Sequence, residues 1–501
     1  MDNSQSLLKG KRIFHLLTEK YKDRTISLSD RIAHPLGFLI LTVLALICSV
    51  IITVMGILPG IMLPALLVLI PSVYALLAFP RFGIVVLLIA SYFLMSTLKF
   101  GVTYPVGTLM DGLQFLLIIG FFIKHKSDRS WEFAKSPVTP ILIIWVLYNI
   151  LQVFNPIADS MLAWLYTIRT VGIVALTYFL FSYYIVSVSF IRLLLKLWIG
   201  MSVIAALYTI KQEYFGFSSF EKEFLANDPG ATALYFISGH WRKFSIFTDP
   251  VALAYNMVIS SILCITLMFG PVSTIKKMVL GIFVCFFVMA MVYSGTRGSF
   301  ILIPAAMALL LVLKLNKKVF VFGVVMFVAL VIITRLPTSN SNLQRFQSAF
   351  RPSNDASFNV RKKNQKRIQP FIQSHPIGGG LGSTGVWGQR FSPNSYLASF
   401  PPDSGYVRVA VETGWIGLLI FCTLMFVVLR TGIKNYFKIK DPELKTYCLA
   451  MTLMVFALGI GNYPQEAFVQ YPVNIYFYLI VALITITYKL DRKNLSTNIS
   501  N

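Results

Sequence analysis

Charge is scarce in this sequence, and negative charge is scarcest. Asp, Glu, Lys and Arg together make up 13% of the 501 residues, and only 20 residues are acidic. A soluble globular chain carries roughly 25% charged residues. With 56% of its residues hydrophobic, this chain cannot cover itself with polar surface in water. A soluble multidomain protein is excluded, as are disordered and collagen-like chains. Cysteine is rare as well. The five (Cys48, Cys264, Cys285, Cys422 and Cys448) lie in or beside apolar runs, with no C-x-x-C spacing. Neither a disulfide scaffold nor a thiolate metal site is expected. There are five histidines and no D-x-D or His/Asp cluster, which disfavours metal-dependent catalysis. The polar N-terminal stretch of about 34 residues is too long for a cleavable signal.

What the chain does contain is apolar runs of membrane-spanning length. They fall at roughly 35–55, 57–79, 81–98, 103–123, 138–155, 164–187, 190–211, 250–269, 278–294, 298–314, 318–334, 404–429, 446–462 and 471–488. About fourteen spans of about 20 residues account for the hydrophobic fraction. The expected fold is therefore an all-α polytopic membrane protein. The net charge of +24 would suggest nucleic acid in a soluble protein. Here it collects in alternate short loops, such as Lys124–Lys135, Lys276–Lys277, Lys317–Lys318 and Lys434–Lys445. That alternation predicts cytoplasmic termini and no nucleic-acid partner. The expected organisation is a cytoplasmic segment 1–34, spans 1–11 over 35–334 with an extracytoplasmic loop at 212–249, a large basic loop at 335–403, spans 12–14 over 404–488 and a tail at 489–501.

The loop at 335–403 breaks the charge rule. It carries Arg335, Arg345, Arg351, Arg361, Lys362, Lys363, Lys366, Arg367 and Arg390 against Asp355 and Asp403. An anionic ligand would account for cations on the outer face; so would a solvated or headgroup-binding surface. Residues 357–373 predict an amphipathic helix resting on the membrane domain through Phe358, Ile368, Phe371 and Ile372. Gly378 to Gly385 predict a flexible turn. Gly380-Leu381-Gly382-Ser383-Thr384-Gly385 fits G-x-G-x-x-G but lacks the βαβ setting a dinucleotide needs. Its backbone N–H groups could help hold an anion.

Individual polar residues are more informative. Arg297, in Ser294-Gly295-Thr296-Arg297-Gly298-Ser299, opens a span where a cation opposes the helix dipole. A bound anion resolves that conflict; snorkelling is the alternative. Arg242 precedes Thr248-Asp249-Pro250, which reads as an N-cap and first helical residue. Arg169 lies about five residues into a span, where arginine marks a cavity or snorkels outward. Asp403, in Pro401-Pro402-Asp403-Ser404-Gly405-Tyr406, suits either a base or an N-cap. Arg408 and Glu412, four apart on a helix, are placed to pair. His240 and His375 are the only histidines expected outside, and His375 suits a turn as well as catalysis.

Several of these segments together resemble the bacterial O-antigen ligase and polymerase family, which also holds protein O-oligosaccharyltransferases. Ser294-Gly295-Thr296-Arg297-Gly298 is similar to its small-x-Arg-Gly start of a span. Arg361 followed by His375-Pro376-Ile377-Gly378-x-Gly380-x-Gly382 is similar to its Arg…Pro-x-x-Gly-x-Gly run. Asp403-Ser404-Gly405-Tyr406 through Glu412-Thr413-Gly414-Trp415-Ile416-Gly417 resembles the segment leading into the next span. Arg242 with Phe247-Thr248-Asp249-Pro250 is like an earlier Arg…Phe-x-x-Pro-Asn piece, with Val251 where asparagine is usual. The resemblance covers about 240–420.

The resemblance implies a fold of the GT-C glycosyltransferase type in the bacterial inner membrane. It also implies a donor glycan on undecaprenyl diphosphate, an acceptor glycan or glycolipid, and metal-independent inverting transfer on the periplasmic face with no cofactor. Asp403 and Ser404 stand where ligases of the family carry histidine and asparagine, so a polymerase of lipid-linked repeat units is expected first and a ligase second. On this reading Arg242, Arg297, Arg361 and Arg169 hold the pyrophosphate. Asp403 and Arg297 act in catalysis, Asp403 as base. The rivals are a flippase for lipid-linked oligosaccharide and a structural subunit of a polysaccharide export machine.

Overall fold

The computed structural model describes residues 57–100, 106–128, 131–227, 232, 234–237, 239–350 and 356–500, with isolated positions between 35 and 53. The 1–34 segment, most of the 35–55 run, Arg351, Asp355 and the Phe358 side chain lie outside the described residues. The chain is a multi-pass membrane protein built almost wholly of helices. Among the described residues ten helices are long and apolar enough to cross a membrane. The apolar stretches 68–78, 138–154 and 297–313 are shorter. The expected count of fourteen spans is therefore not reached on length alone.

In chain order the helices are α1 (Ile57–Ala78), α2 (Pro80–Phe93), α3 (Val106–Asp128), α4 (Val138–Leu151), α5 (Met161–Ile168), α6 (Val174–Tyr184), α7 (Val188–Tyr214) and α8 (Ser219–Asn227). A two-strand hairpin, β1 (Phe236–Ile237) and β2 (His240–Trp241), follows. Then come α9 (Pro250–Met268), α10 (Thr274–Tyr293), α11 (Arg297–Phe300), α12 (Leu302–Leu313), α13 (Lys317–Arg335), α14 (Ser341–Ser348) and α15 (Ala356–Ser374). The last are α16 (Gly385–Phe391), α17 (Gly405–Lys438), α18 (Pro442–Gly461) and α19 (Val473–Ser500).

The chain forms two compact units. One holds residues up to 86 with 115–129, and the other holds 87–114 with 130–501. In the first, Leu77 of α1 lies 3.1 Å from where a Gly120 Cβ would stand, so α1 and the end of α3 approach closely. The second unit carries every candidate site residue. Its centre is α9 and α19, whose apolar windows are 83% buried, whereas only 6% of the α13 window is buried. Trp198, Tyr476 and Tyr92 pack edge-on at 4.5 and 5.4 Å. A hydroxyl chain runs from Tyr92 to Ser202 (2.9 Å) and on to Ser260 (2.8 Å). Asn256, Ser261 and Thr266 of α9 bond the carbonyls four residues back. These hydroxyl and amide donors are thereby paired inside the membrane domain. Cys264, Cys285, Cys422 and Cys448 are unbridged.

Two irregular segments shape the end of this unit where α9 begins. The first is the connection after α7. Ser218 donates its backbone N–H to Glu221 (2.7 Å), half of a capping box that starts α8. Leu225, Tyr235 and Phe244 form a small core there, with Phe217, Phe224 and Trp241 around it. Gln212 accepts the N–H of Ser245 (2.8 Å), and the buried Lys99 ammonium donates to the Ser245 and Phe247 carbonyls. The stretch between β2 and α9 is thereby fixed.

The second irregular segment is a break inside α17, at Gly414 (φ 72°). A break leaves backbone groups open, which must be paired inside a membrane protein. Gly379 and Gly380 donate to the Val411 and Glu412 carbonyls (both 2.9 Å), Tyr148 donates to that of Thr413 (2.7 Å), and Ile416 donates to that of Pro376 (3.2 Å). The glycine turn thus docks on the broken helix. The Gly380 N–H, which the sequence offers to an anion, is spent on a helix carbonyl. The turn is bonded in place, not loose as its composition suggests. The expected amphipathic helix is present as α15; Ile368 is buried with Val411, Leu397 and Phe400, and Phe371 and Ile372 pack beside them.

Candidate active site

The Ser294-Gly295-Thr296-Arg297 stretch connects α10 to α11 and forms the floor of a cavity of about 290 Å³. Gly295 has φ 60°. A Cβ there would stand 2.9 Å from Arg345 Nε and 3.3 Å from Arg242 Cγ. The left-handed turn and the two approaching arginines both require glycine. Arg242, from β2's end, donates Nε to the Ser294 carbonyl (2.9 Å), Nη2 to the Thr296 hydroxyl (2.9 Å) and Nη1 to the Leu234 carbonyl (3.1 Å). A guanidinium has five N–H groups, so two remain for a ligand. Arg345, on α14, donates Nε to the Gly295 carbonyl (2.6 Å). Arg297 is the first residue of α11 and lines the same cavity.

Three arginines from three separate segments therefore converge. His240, Asn342, Gln344 and Ser348 add polar lining, and among the described residues no carboxylate lines the cavity. Glu213 stands nearby but is engaged by Lys243 (3.3 Å) and by Asn342 (3.0 Å). Burial pushes the Arg242 guanidinium down to about 10; Asp249 and Tyr235 oppose the shift and the Arg297 charge adds to it. Arg242 still carries its charge at neutral pH. Such a pocket stabilises an anion with several oxygens, because planar guanidinium groups hold phosphate in forked geometry.

The other expected residues are distributed around this pocket. Arg361, on α15, acts electrostatically on the buried Tyr255 hydroxyl, which donates to the Gly461 carbonyl (2.7 Å). Three residues on, Asn364 donates to Asp403 Oδ2 (3.1 Å). One face of α15 thus links Arg361 to Asp403. Asp403 does not cap α17; Ser404 stands at the N-cap and makes no side-chain cap bond. Asp249 does cap α9, accepting from Val251 and Ala252 (2.7 and 3.0 Å). Arg408 pairs with Glu412 (3.0 Å), as its spacing predicts, and also with Glu466 (2.9 Å). Arg169 pairs with Asp111 (2.9 Å) in a π-helical turn and does not line the arginine cavity. His375 bonds Ser374 and the Phe371 carbonyl and stacks on the Phe371 ring at 4.0 Å.

Two residues stand out that sequence reasoning passed over. Arg345 was one cation among nine in the basic loop. Its signal is an Asn340 N-cap (bonds of 3.0 and 3.2 Å to Asn342 and Leu343) opening a short helix, whose Phe346 packs on Phe300 at 5.0 Å. Glu466 lies between α18 and α19, with Oε1 buried and without a hydrogen-bond partner. Nothing in its neighbourhood of sequence marks it. Among the described residues no group of three or more His, Cys, Asp or Glu is placed to hold a metal.

Comparison with known proteins finds a family match over part of the chain. Residues 281–422 match a family model described as O-antigen ligase (Wzy_C). The match contains Arg297, Arg345, Arg361, Asp403, Arg408 and Glu412 and leaves out Arg242, Arg169 and Glu466. A search of curated proteins gives no match to the chain. The chain is thus a multi-pass membrane protein with an O-antigen ligase-type region. The description backs transfer to a separate acceptor better than the polymerase expected first.

Proposed function

We propose that this protein is a bacterial inner-membrane glycosyltransferase that moves a glycan from undecaprenyl diphosphate to an acceptor hydroxyl at the extracytoplasmic face. The observation that carries this reading is the convergence of Arg242, Arg297 and Arg345 on one cavity. A diphosphate leaving group gathers negative charge as the anomeric carbon–oxygen bond breaks. Cations fixed beforehand where that charge develops lower the barrier. The acceptor oxygen attacks the anomeric carbon from the opposite face, its bond forms as the phosphate oxygen leaves, and its proton passes to a base. Asp403, held by Asn364 at 3.1 Å, is that base, and Arg361 on the same helix faces the donor. Arg169, neutralised by Asp111, is assigned no contact with the diphosphate. The reaction needs no metal, so EDTA leaves the rate unchanged.

The first acceptor reading is a separate lipid-borne sugar, as the O-antigen ligase match supports. The second is a growing lipid-linked chain, supported by Asp403 and Ser404 standing where family ligases carry histidine and asparagine. Purified protein in nanodiscs, given a labelled lipid-linked donor with or without a lipid acceptor, separates them. Product that appears only with the acceptor supports a ligase, and a ladder from donor alone supports a polymerase. Translocation of donor without any transfer would overturn both in favour of a flippase.

A further inference from the structure

α9 begins beside the arginine cavity and ends at a second basic pocket. α9 runs from Pro250, beside Thr296, to Met268, a length of about 28 Å for 19 residues. That is close to the thickness of a bilayer's hydrocarbon core, about 30 Å. Past its last turn lies a cavity of about 180 Å³ lined by Phe269, Gly270, Lys314, Tyr436, Lys445 and Thr446, among others.

The charge in this pocket is of one sign. Lys314 donates to the Phe269 carbonyl (2.8 Å), and Lys445 lies 5.1 Å from the Tyr436 ring centre. Burial, and after it the charges of Lys445 and Lys277, hold the Lys314 ammonium below the ordinary lysine value. Two ammonium groups, Lys314 and Lys445, therefore share one pocket, and the Lys277 charge also reaches Lys314. The carboxylates on the adjoining helix are already used. Glu443 is held by Arg192 at 2.5 and 2.6 Å, and Asp441 accepts the N–H groups of Glu443 and Leu444. Among the described residues no carboxylate pairs with Lys277, Lys314 or Lys445. A half-enclosed cluster of like charges is stabilised by a bound anion.

The lining also says which kind of anion. The pocket combines ammonium groups with the Phe269 and Tyr436 rings and Leu449, at helix ends where lipid headgroups lie. A free phosphate gains nothing from aromatic and aliphatic walls, whereas a phosphodiester with its glycerol backbone covers them. We propose that this pocket is a binding site for the phosphodiester headgroup of an anionic phospholipid in the leaflet opposite the arginine cavity.

The test is thermal unfolding of the full-length protein in neutral detergent, titrated with phosphatidylglycerol, phosphatidylcholine or inorganic phosphate. Phosphatidylglycerol should raise Tm by several degrees, and the other two should not. The double variant Lys314→Gln/Lys445→Gln should lose more than half of that rise. A control with equal charge loss outside the pocket, Lys317→Gln/Lys438→Gln, should keep it. The proposal is overturned if the pocket variant keeps the full rise, if the control loses as much, or if inorganic phosphate gives the same rise. Should the double variant not fold, Lys445→Gln alone carries the same comparison.

Discussion

Gly295 links a sequence feature to the geometry of a site through one missing Cβ. An added methyl would meet Arg345 Nε at 2.9 Å, at a φ of 60°. The left-handed conformation alone costs an alanine roughly 1–2 kcal/mol. Gly295→Ala should therefore lower Tm modestly but reduce kcat/KM for the donor by about 10-fold or more, because two arginines must move. A loss of stability with full activity would contradict this. Arg345 supplies a charged hydrogen bond to the floor and a charge to the cavity. Arg345→Ala should raise the donor KM by about 10-fold to 100-fold, the range for one charge-assisted contact. An unchanged KM removes Arg345 from the site.

Glu466 has a different readout. Burial holds its carboxyl above the ordinary value; Arg408 opposes this, and Glu412 and Asp403 add to it. The native state therefore keeps the proton where the unfolded chain, with a pKa of about 4.3, has lost it. The resulting stability is fully present below that value and falls as pH rises through the raised native one. Glu466→Gln cannot ionise and should gain on the wild type in Tm as pH rises above about 4. Parallel curves would show that the carboxyl is not displaced.

At the level of elements, the site rests on two irregular pieces, and they were the hardest to read. The expected apolar runs from 57 onward appear as helices, but α17 and α19 run well past their expected ends, to Lys438 and Ser500, and the 138–154 and 297–313 stretches are too short to count as spans. The break in α17 is hidden in an apolar run, since Thr413-Gly414-Trp415 interrupts nothing in hydropathy. The glycine turn was visible as a turn. Its docking partner was not, because positive φ says how a chain bends and not what it meets. Asn155 ties this turn down, donating to the Ile377 and Gly378 carbonyls (3.2 and 3.1 Å). Asn155→Leu should cost about 1–3 kcal/mol by leaving a buried carbonyl unpaired. Denaturation should show that cost, while kcat/KM of the folded fraction stays near wild type.

For the whole molecule, composition was enough for a multi-pass protein, and the motif run was enough for the family later matched over 281–422. The arginine cavity itself was only partly legible. Arg242 and Arg297 were chosen because each lacked a local structural reason. Arg345 was not, since nothing local separates it from its basic neighbours. Arg242 and Arg345 reach the stretch before Arg297 through the Ser294 and Gly295 carbonyls, which are contacts between residues about 50 positions apart. Arg169 was chosen on depth in the membrane, and depth does not reveal that Asp111 compensates it.

The central claim is that the three-arginine cavity grips a diphosphate. The most direct measurement is the affinity of the purified protein for undecaprenyl diphosphate and undecaprenyl monophosphate, in the wild type and in Arg297→Ala and Arg345→Ala. The account predicts about 10-fold or greater preference for the diphosphate in the wild type, reduced in both variants toward that for the monophosphate. Equal affinity for the two lipids, or an undiminished preference in both variants, would contradict it.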